Sequence, residues 1–398
     1  MMIKKERVLN EIFSGKNTTY LTHNYHPYAA KFIPQIPRFF IKEYTNENEV
    51  VLDPFCGSGT ALVESLLLRR NAIGIDVHPI ATLISKVKTT PLNDHQLNFI
   101  LKWLRELALN YEFNDATITR YLSASEKIEK NSNEKNKFYY AELIDFPNKY
   151  HWFKKEILNA IVYIKMKISE IMDHKIRDFL LTSLSSIIVK VSNQESETRY
   201  VAINKKYSER DVFKFFYDKV MDMIYRMREF SKKLSGNNWV KVYTADSRYI
   251  DFVKENSVDF IITSPPYPNV YDYYLYHKLR MYILGYRVND VQMREIGSRN
   301  KHSSKREGIE NYIKDMILCF NNFRRILKPN RFFVIVVGDS IIGGKKYDAF
   351  DIISKIAGKS GFIVEDHLQY SLDKVSKLFN KSFRKRNKNE HIIILKNE

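Results

Sequence analysis

Cysteine is almost absent from this chain of 398 residues: only Cys56 and Cys319 occur, far apart and set among apolar or glycine-rich neighbours. A disulfide framework and a four-cysteine zinc site are therefore excluded, and a reducing, cytoplasmic setting is expected. Long apolar runs are missing as well. No stretch approaches the roughly 18 residues that a membrane-spanning helix requires, and the charged start from Met1 to Asn10 lacks the apolar core of a signal peptide. No internal repeat or long low-complexity tract is present. With 44% hydrophobic and 28% charged residues, the composition is that of a soluble globular protein of two or three folded units. Acidic residues are in deficit: 64 Lys and Arg against 46 Asp and Glu leave a net charge of +18. Such a surplus favours a polyanionic partner, nucleic acid foremost, because clustered cations release counterions from a phosphate backbone.

Two blocks with strand and helix texture flank a helical stretch. In the first, the apolar run Glu49 to Leu52 leads into Asp53-Pro-Phe-Cys-Gly-Ser-Gly-Thr60, and Ala61 to Arg70 then has helical periodicity. A second run, Ala72 to Ile75, ends at Asp76, with Pro79 placed to open another helix. This strand-helix-strand unit is the beginning of an open parallel sheet. Residues 91–238 change to charged amphipathic helices, read as a helical insertion between the two parts of one discontinuous domain, 1–90 and 239–398. Within it, Ser192 to Tyr200 is polar and aperiodic, a segment that could fold back toward a site. Strand texture resumes at Trp239 to Thr244, ahead of Asp246, and at Val258 to Ile262, ahead of Thr263-Ser-Pro-Pro-Tyr267. Then come a tyrosine-rich helix over Tyr271 to Leu284, a basic loop from Arg287 to Gly308, a helix over Ile309 to Leu327 and the run Arg331 to Val337, apolar throughout after its first residue. A last helix and the strands Phe362 to Tyr370 and His391 to Leu395 follow, the strands separated by a basic stretch from Lys381 to Lys388.

A glycine turn between strand and helix lets a ligand approach the backbone and meet its N–H groups. The spacing Phe55-x-Gly57-x-Gly59 lacks the third glycine of a dinucleotide fingerprint, and no P-loop lysine follows, which disfavours NAD and ATP. Three carboxylates, Asp53, Asp76 and Asp246, fall at predicted strand ends along one sheet edge, where open sheets keep ligands. They suit a cationic, nucleoside-bearing ligand such as a sulfonium amino acid. Asp76, 17 residues after Gly59, is placed to accept hydrogen bonds from ribose hydroxyls.

Asp53 to Thr60 resembles the S-adenosylmethionine-binding motif of the amino-group DNA methyltransferases, which act on cytosine N4 or adenine N6. His26-Pro-Tyr-Ala-Ala-Lys-Phe-Ile-Pro34 is similar to the segment that precedes the glycine turn in relatives carrying the catalytic motif last. The resemblance implies a Rossmann-like, doubly wound α/β fold with a seven-stranded, mostly parallel sheet and one antiparallel strand toward the C-terminus. It also implies S-adenosylmethionine as cofactor, with no metal. Asp53, Gly57 and Gly59 would surround the methionine part, Asp76 would hold the ribose and Asp246 would lie near the adenine, with Phe55 and Thr60 also binding the cofactor and Lys31 and Phe32 forming a wall.

The tetrapeptide Ser264-Pro265-Pro266-Tyr267 carries the chemistry that the resemblance implies. An exocyclic base amine is a poor nucleophile because its lone pair is delocalised into the ring. The Ser264 hydroxyl and Pro265 carbonyl can accept its two hydrogens, consecutive prolines keep them aimed, and Tyr267 offers a face on which a flipped base stacks. Methyl transfer then needs in-line positioning rather than a metal or a covalent enzyme intermediate. Ser264 resembles the first residue of cytosine-N4 enzymes, where adenine-N6 enzymes usually carry Asp or Asn, so cytosine N4 in double-stranded DNA is the expected target. Adenine N6 and an RNA base amine are the alternatives among enzymes. A non-catalytic DNA-binding subunit that keeps its cofactor pocket is the alternative of another class. Arg287, Arg294, Arg299, Lys301, Lys305 and Arg306, next to the tetrapeptide, are the expected DNA contacts. The family resemblance further implies a cognate restriction endonuclease. His23 and His26 have metal-like spacing, but no second ligand pair follows them.

Overall fold

A computed structural model describes residues 5–13, 17–31, 33–109, 140–299, 301, 308–371 and 389–398. Phe32, Lys305, Arg306 and the basic stretch 381–388 lie outside these residues. The strands in chain order are β1 (Val50–Asp53), β2 (Asn71–Asp76), β3 (Gln194–Ser196), β4 (Arg199–Ala202), β5 (Val240–Thr244), β6 (Val258–Thr263), β7 (Leu327–Gly338), β8 (Ser340–Ile342), β9 (Lys345–Tyr347), β10 (Phe362–Ser371) and β11 (Asn389–Asn397). Seven of them form one sheet in the order β10-β11-β7-β6-β1-β2-β5. The pairs β7/β6, β6/β1, β1/β2 and β2/β5 are parallel, and β11 runs antiparallel to both of its neighbours. The fold is therefore the expected doubly wound one, with its single reversed strand near the C-terminus.

Period-two alternation assigns the side chains of each central strand to opposite faces of this sheet. Val51, Phe260, Ile262, Val334, Val336, Ile392 and Ile394 point to one side, where Val8 and Ile12 of the helix Lys5–Phe13 and Phe39 to Ile41 of the helix Gln35–Tyr44 cover them. Leu52, Ile261, Phe333, Ile335, Ile393 and Leu395 point to the other, against the helices Ile309–Ile326 and Ala349–Lys359. Both faces are covered, which explains why β6 is buried at every position.

Residues 91–238 contribute the helices Asp94–Leu109, Lys155–Ser169, His174–Val191 and Glu209–Lys233. They share an apolar cluster with Val63 and Leu66 of the helix after β1, Leu83 and Val87 of the helix after β2, and Leu279 and Ile283. The polar segment Ser192 to Tyr200 forms most of the β3/β4 hairpin, and Glu197 at its turn pairs with the fully buried Arg280 at 2.8 Å. It thus folds back on the helix Lys278–Leu284 that follows the Ser-Pro-Pro-Tyr segment. Two sequence expectations need correction. The tyrosine-rich helix is two pieces, Tyr273–Tyr276 and Lys278–Leu284, broken at His277, and the expected basic loop contains a helix, Val288–Arg294. Among the described residues no helix is long and apolar enough to cross a membrane.

Candidate active site

Parallel pairing puts the C-terminal ends of β1, β2, β5 and β6 along one sheet edge, on either side of the point where strand order reverses. A cleft opens there, about 830 Å³ when the open solvent at its mouth is included. Its walls bring together Gly57, Ser58 and Thr60 from the glycine turn, Asp76 after β2, Asp246 after β5, and Ser264 and Pro266 after β6. The two motif-bearing segments, some two hundred residues apart in sequence, meet in this one cleft.

Backbone geometry explains the glycines. Gly57 has φ +47° and Gly59 has φ +77°, values that favour residues without a Cβ. At Gly57 a Cβ would stand 3.3 Å from the Tyr28 ring, so this glycine forms cleft surface. Gly59 does not line the cleft. Its missing Cβ makes room for Ser85, whose Cα would lie only 3.0 Å away, and it precedes the helix Thr60–Leu67. The loop is tied down by Ser85, whose hydroxyl donates to the Gly57 carbonyl at 2.7 Å. Cys56 is buried in the turn with its thiol pushed up by that burial, and Cys319 is likewise buried and free.

The three strand-end carboxylates have different surroundings. Asp76 accepts the Gly57 N–H at 2.9 Å and the His78 N–H at 2.8 Å, and burial holds its pKa at about 6. Asp53 lies beneath the cleft rather than in its wall. One oxygen accepts the Thr263 hydroxyl at 2.7 Å, clamping β1 to β6, the other is buried without a partner, and burial raises its pKa to about 7. Asp246 lines the cleft but is bound by Arg248 through both oxygens, at 3.0 and 2.7 Å, and Arg248 also holds Asp315. Its charge is therefore compensated inside the protein, which sequence spacing did not indicate. Lys31 and Phe55 line the cleft, and the Lys31 ammonium donates to the His23 carbonyl.

In the tetrapeptide, the Ser264 hydroxyl donates to the Tyr267 hydroxyl at 3.4 Å, and Tyr267 in turn donates to Glu390 at 3.0 Å. The other Glu390 oxygen accepts Tyr370 at 2.6 Å. Tyr267 is half-buried, its ring edge resting where a Cβ on Gly338 would be 3.0 Å away. Pro265 is buried, and neither it nor Tyr267 belongs to the wall of the cleft.

The basic residues after the tetrapeptide separate into two groups. Arg287 and Arg299 are exposed. Arg294 forms part of the cleft wall, with its Nε on the Asp290 carbonyl, and Lys301 donates to the Glu295 carbonyl at 2.7 Å. His23 bonds Glu64 at 2.7 Å, while His26 uses its two ring nitrogens on the Pro27 carbonyl and the Ser185 hydroxyl. Among the described residues, Asp339, Asp348 and His391 stand close enough to share an ion. Asp339 already accepts His391, Lys346 and two backbone N–H groups, and Asp348 caps the helix that follows it.

Tyr28, His78, Tyr273 and Glu295 are among the wall residues that sequence reading missed. Tyr28 stands in the His26 to Pro34 stretch, where only Lys31 and Phe32 are singled out. Tyr273 lies in the tyrosine-rich helical stretch, and Glu295 is masked by the basic residues around it.

The chain is similar to known proteins. The pattern of the DNA methylase family matches residues 2–86 and 258–398, leaving the helical stretch outside it. The Type II methyltransferase M.MjaII of Methanocaldococcus jannaschii is 26% identical over 89% of this chain and 77% of its own length. The Type II methyltransferase M.MvaI of Kocuria varians is 28% identical over 64% of this chain, which spans 55% of that relative. The crystal structure of an S-adenosylmethionine-dependent methyltransferase from Methanosarcina mazei overlaps 90% of this chain and 96% of its own at 9% identity, with a TM-score of 0.33. With its matched segments covering more than half of the sequence and both lining the cleft, the chain belongs to the DNA methylase family.

Proposed function

We propose that this protein transfers the methyl group of S-adenosylmethionine to the exocyclic amine of a base flipped out of double-stranded DNA, with cytosine N4 as the target. The observation that carries this reading is the convergence of the glycine turn and the Ser264/Pro266 wall in one cleft. The cleft fits the cofactor chemically. Gly57 leaves room that a side chain would fill, Asp76 stands half-buried in the wall, and among the described residues the side chains of Ser58 and His78 each hold a buried polar atom without a partner. Gly57, Ser58 and Thr60 would hold the amino-acid half, and Asp76 the ribose. When bound, the cofactor supplies an electrophilic methyl group. No metal takes part in the proposal.

The chain's own contribution is to localise the amine lone pair. Because the Ser264 O–H points to Tyr267 and the Tyr267 O–H points to Glu390, the Ser264 oxygen keeps its lone pairs for an amine hydrogen. The Pro265 carbonyl is the second acceptor. Ser264, where Asp or Asn would mark adenine-N6 enzymes, supports cytosine. Arg287 and Arg299, both exposed, are proposed to contact phosphates, and the helices of residues 91–238, joined to the site through Glu197 and Arg280, are the proposed target-recognition region. A restriction endonuclease of the same sequence specificity is the proposed partner.

Incubating DNA and RNA with the protein and labelled cofactor, followed by mass spectrometry of the nucleosides, tests the assignment. N4-methylcytosine from DNA is expected; N6-methyladenine or label in RNA would replace the base or the substrate, and binding without turnover would make the chain a DNA-binding subunit. A second expectation concerns Glu390. Replacing it with Ala releases the Tyr267 hydroxyl and lets Ser264 reorient, so kcat should fall about tenfold, a net hydrogen bond being worth roughly 0.5–1.5 kcal/mol. Cofactor affinity should stay within about twofold by calorimetry, because Glu390 lies outside the cleft wall.

A further inference from the structure

Glu295 follows the helix Val288–Arg294 and is only 5% exposed, yet it forms part of the cleft wall. Its position is fixed from three directions. Its N–H donates to the Val291 carbonyl at 2.9 Å, its carbonyl accepts Lys301 at 2.7 Å, and its Oε1 accepts the Tyr273 N–H at 2.7 Å. The remaining carboxyl oxygen, Oε2, is buried with no partner in full hydrogen-bond geometry among the described residues, the Tyr274 N–H being the nearby backbone donor. An unsatisfied buried oxygen in a cleft wall calls for a ligand donor, since leaving it unpaired is unfavourable by about 1–3 kcal/mol.

We propose that the Glu295 carboxyl group is a second acidic partner of the cofactor's ribose hydroxyls, facing the same sugar as Asp76 from the segment that follows the Ser-Pro-Pro-Tyr motif. This rests on the cofactor reading of the cleft. Two observations place Glu295 at the nucleoside half. The carbonyl of the preceding Arg294 accepts Arg248, the residue that binds Asp246. Glu295 itself is near enough to Asp76 and Asp272 for their charges to disfavour its ionisation. The glycine turn and Ser264, by contrast, are assigned to the amino-acid and methyl-bearing half in the proposed function. Burial, reinforced by those two carboxylates and opposed by the Tyr273 and Tyr274 N–H groups, raises the Glu295 pKa to about 8. A carboxyl group held in this position accepts from sugar hydroxyls.

The test uses the full chain and calorimetry with S-adenosylhomocysteine, 5′-methylthioadenosine and the 2′-deoxy and 3′-deoxy forms of the latter. Glu295→Ala should weaken S-adenosylhomocysteine and 5′-methylthioadenosine alike, by about tenfold. The penalty for removing a ribose hydroxyl should be smaller in the variant than in the wild type, as coupling between contacting groups requires. Glu295→Gln keeps the acceptor for Tyr273 and carries the same comparison if the Ala variant does not fold, again with a reduced deoxy penalty expected. Unchanged affinity in a folded variant, an undiminished deoxy penalty, or a loss seen only with S-adenosylhomocysteine would overturn the inference. Failure of the wild-type protein to bind S-adenosylhomocysteine would instead overturn the cofactor reading on which it rests.

Discussion

Tyr267→Ala is expected to lower kcat by a hundredfold or more, about 3–4 kcal/mol at 1.36 kcal/mol per factor of ten, with little change in cofactor affinity. Two losses combine. Stacking of a base on an aromatic ring contributes roughly 1–3 kcal/mol by alanine substitution. The second loss is the Ser264–Tyr267–Glu390 chain, which leaves the Ser264 lone pairs unoccupied and is worth a further 1–2 kcal/mol or so. Tyr267→Phe separates the terms: it keeps the ring and removes the hydroxyl, so it should lose only about tenfold. Single-turnover rates with saturating cofactor, beside calorimetric cofactor affinity, measure both. Full activity in the Ala variant would remove the base-stacking role, and equal losses in the Phe and Ala variants would place the whole effect in the hydroxyl. Because the ring packs on Gly338, circular dichroism must accompany the kinetics.

The second large effect is expected at Gly59. An alanine there must hold φ near +77°, a conformation unfavourable for an L-residue by roughly 1–2 kcal/mol. Its Cβ would also meet the Ser85 hydroxyl at 2.8 Å and the Ser85 Cα at 3.0 Å. The hydroxyl can rotate, but the backbone of the helix Pro79–Thr89 must shift, and overpacking of this kind typically adds about 1–3 kcal/mol. Gly59→Ala should therefore destabilise the protein by about 2–5 kcal/mol in denaturant titration and abolish cofactor binding through displacement of the turn. Gly57→Ala is the contrast. Its Cβ would contact only the edge of the Tyr28 ring, at 3.3 Å, so it should lose cofactor affinity with a smaller loss of stability. The reverse ranking of the two glycines would refute this division between cleft surface and helix packing.

The sequence by itself determined the sheet and the meeting of the motifs. Apolar runs such as Val258 to Ile262 and Arg331 to Val337 have a local period, and parallel connections leave few arrangements for them, so the glycine turn and the Ser264 segment had to end at one edge. The glycine turn was legible from local pattern as well, and both Gly57 and Gly59 take positive φ there. Tertiary structure alone decided what each polar group faces. Asp53, Asp76 and Asp246 look equivalent as strand-end residues, yet the first clamps Thr263 beneath the floor, the second holds the Gly57 amide, and the third is neutralised by Arg248. Tyr267 is tied to Glu390, 123 residues on, and Glu295 reaches back to the Tyr273 amide. The physical reason is one of range. Strand and turn propensities depend on neighbours within a few residues, whereas the ionisation and direction of a buried carboxyl depend on whichever distant groups the folded chain brings within about 3 Å of it.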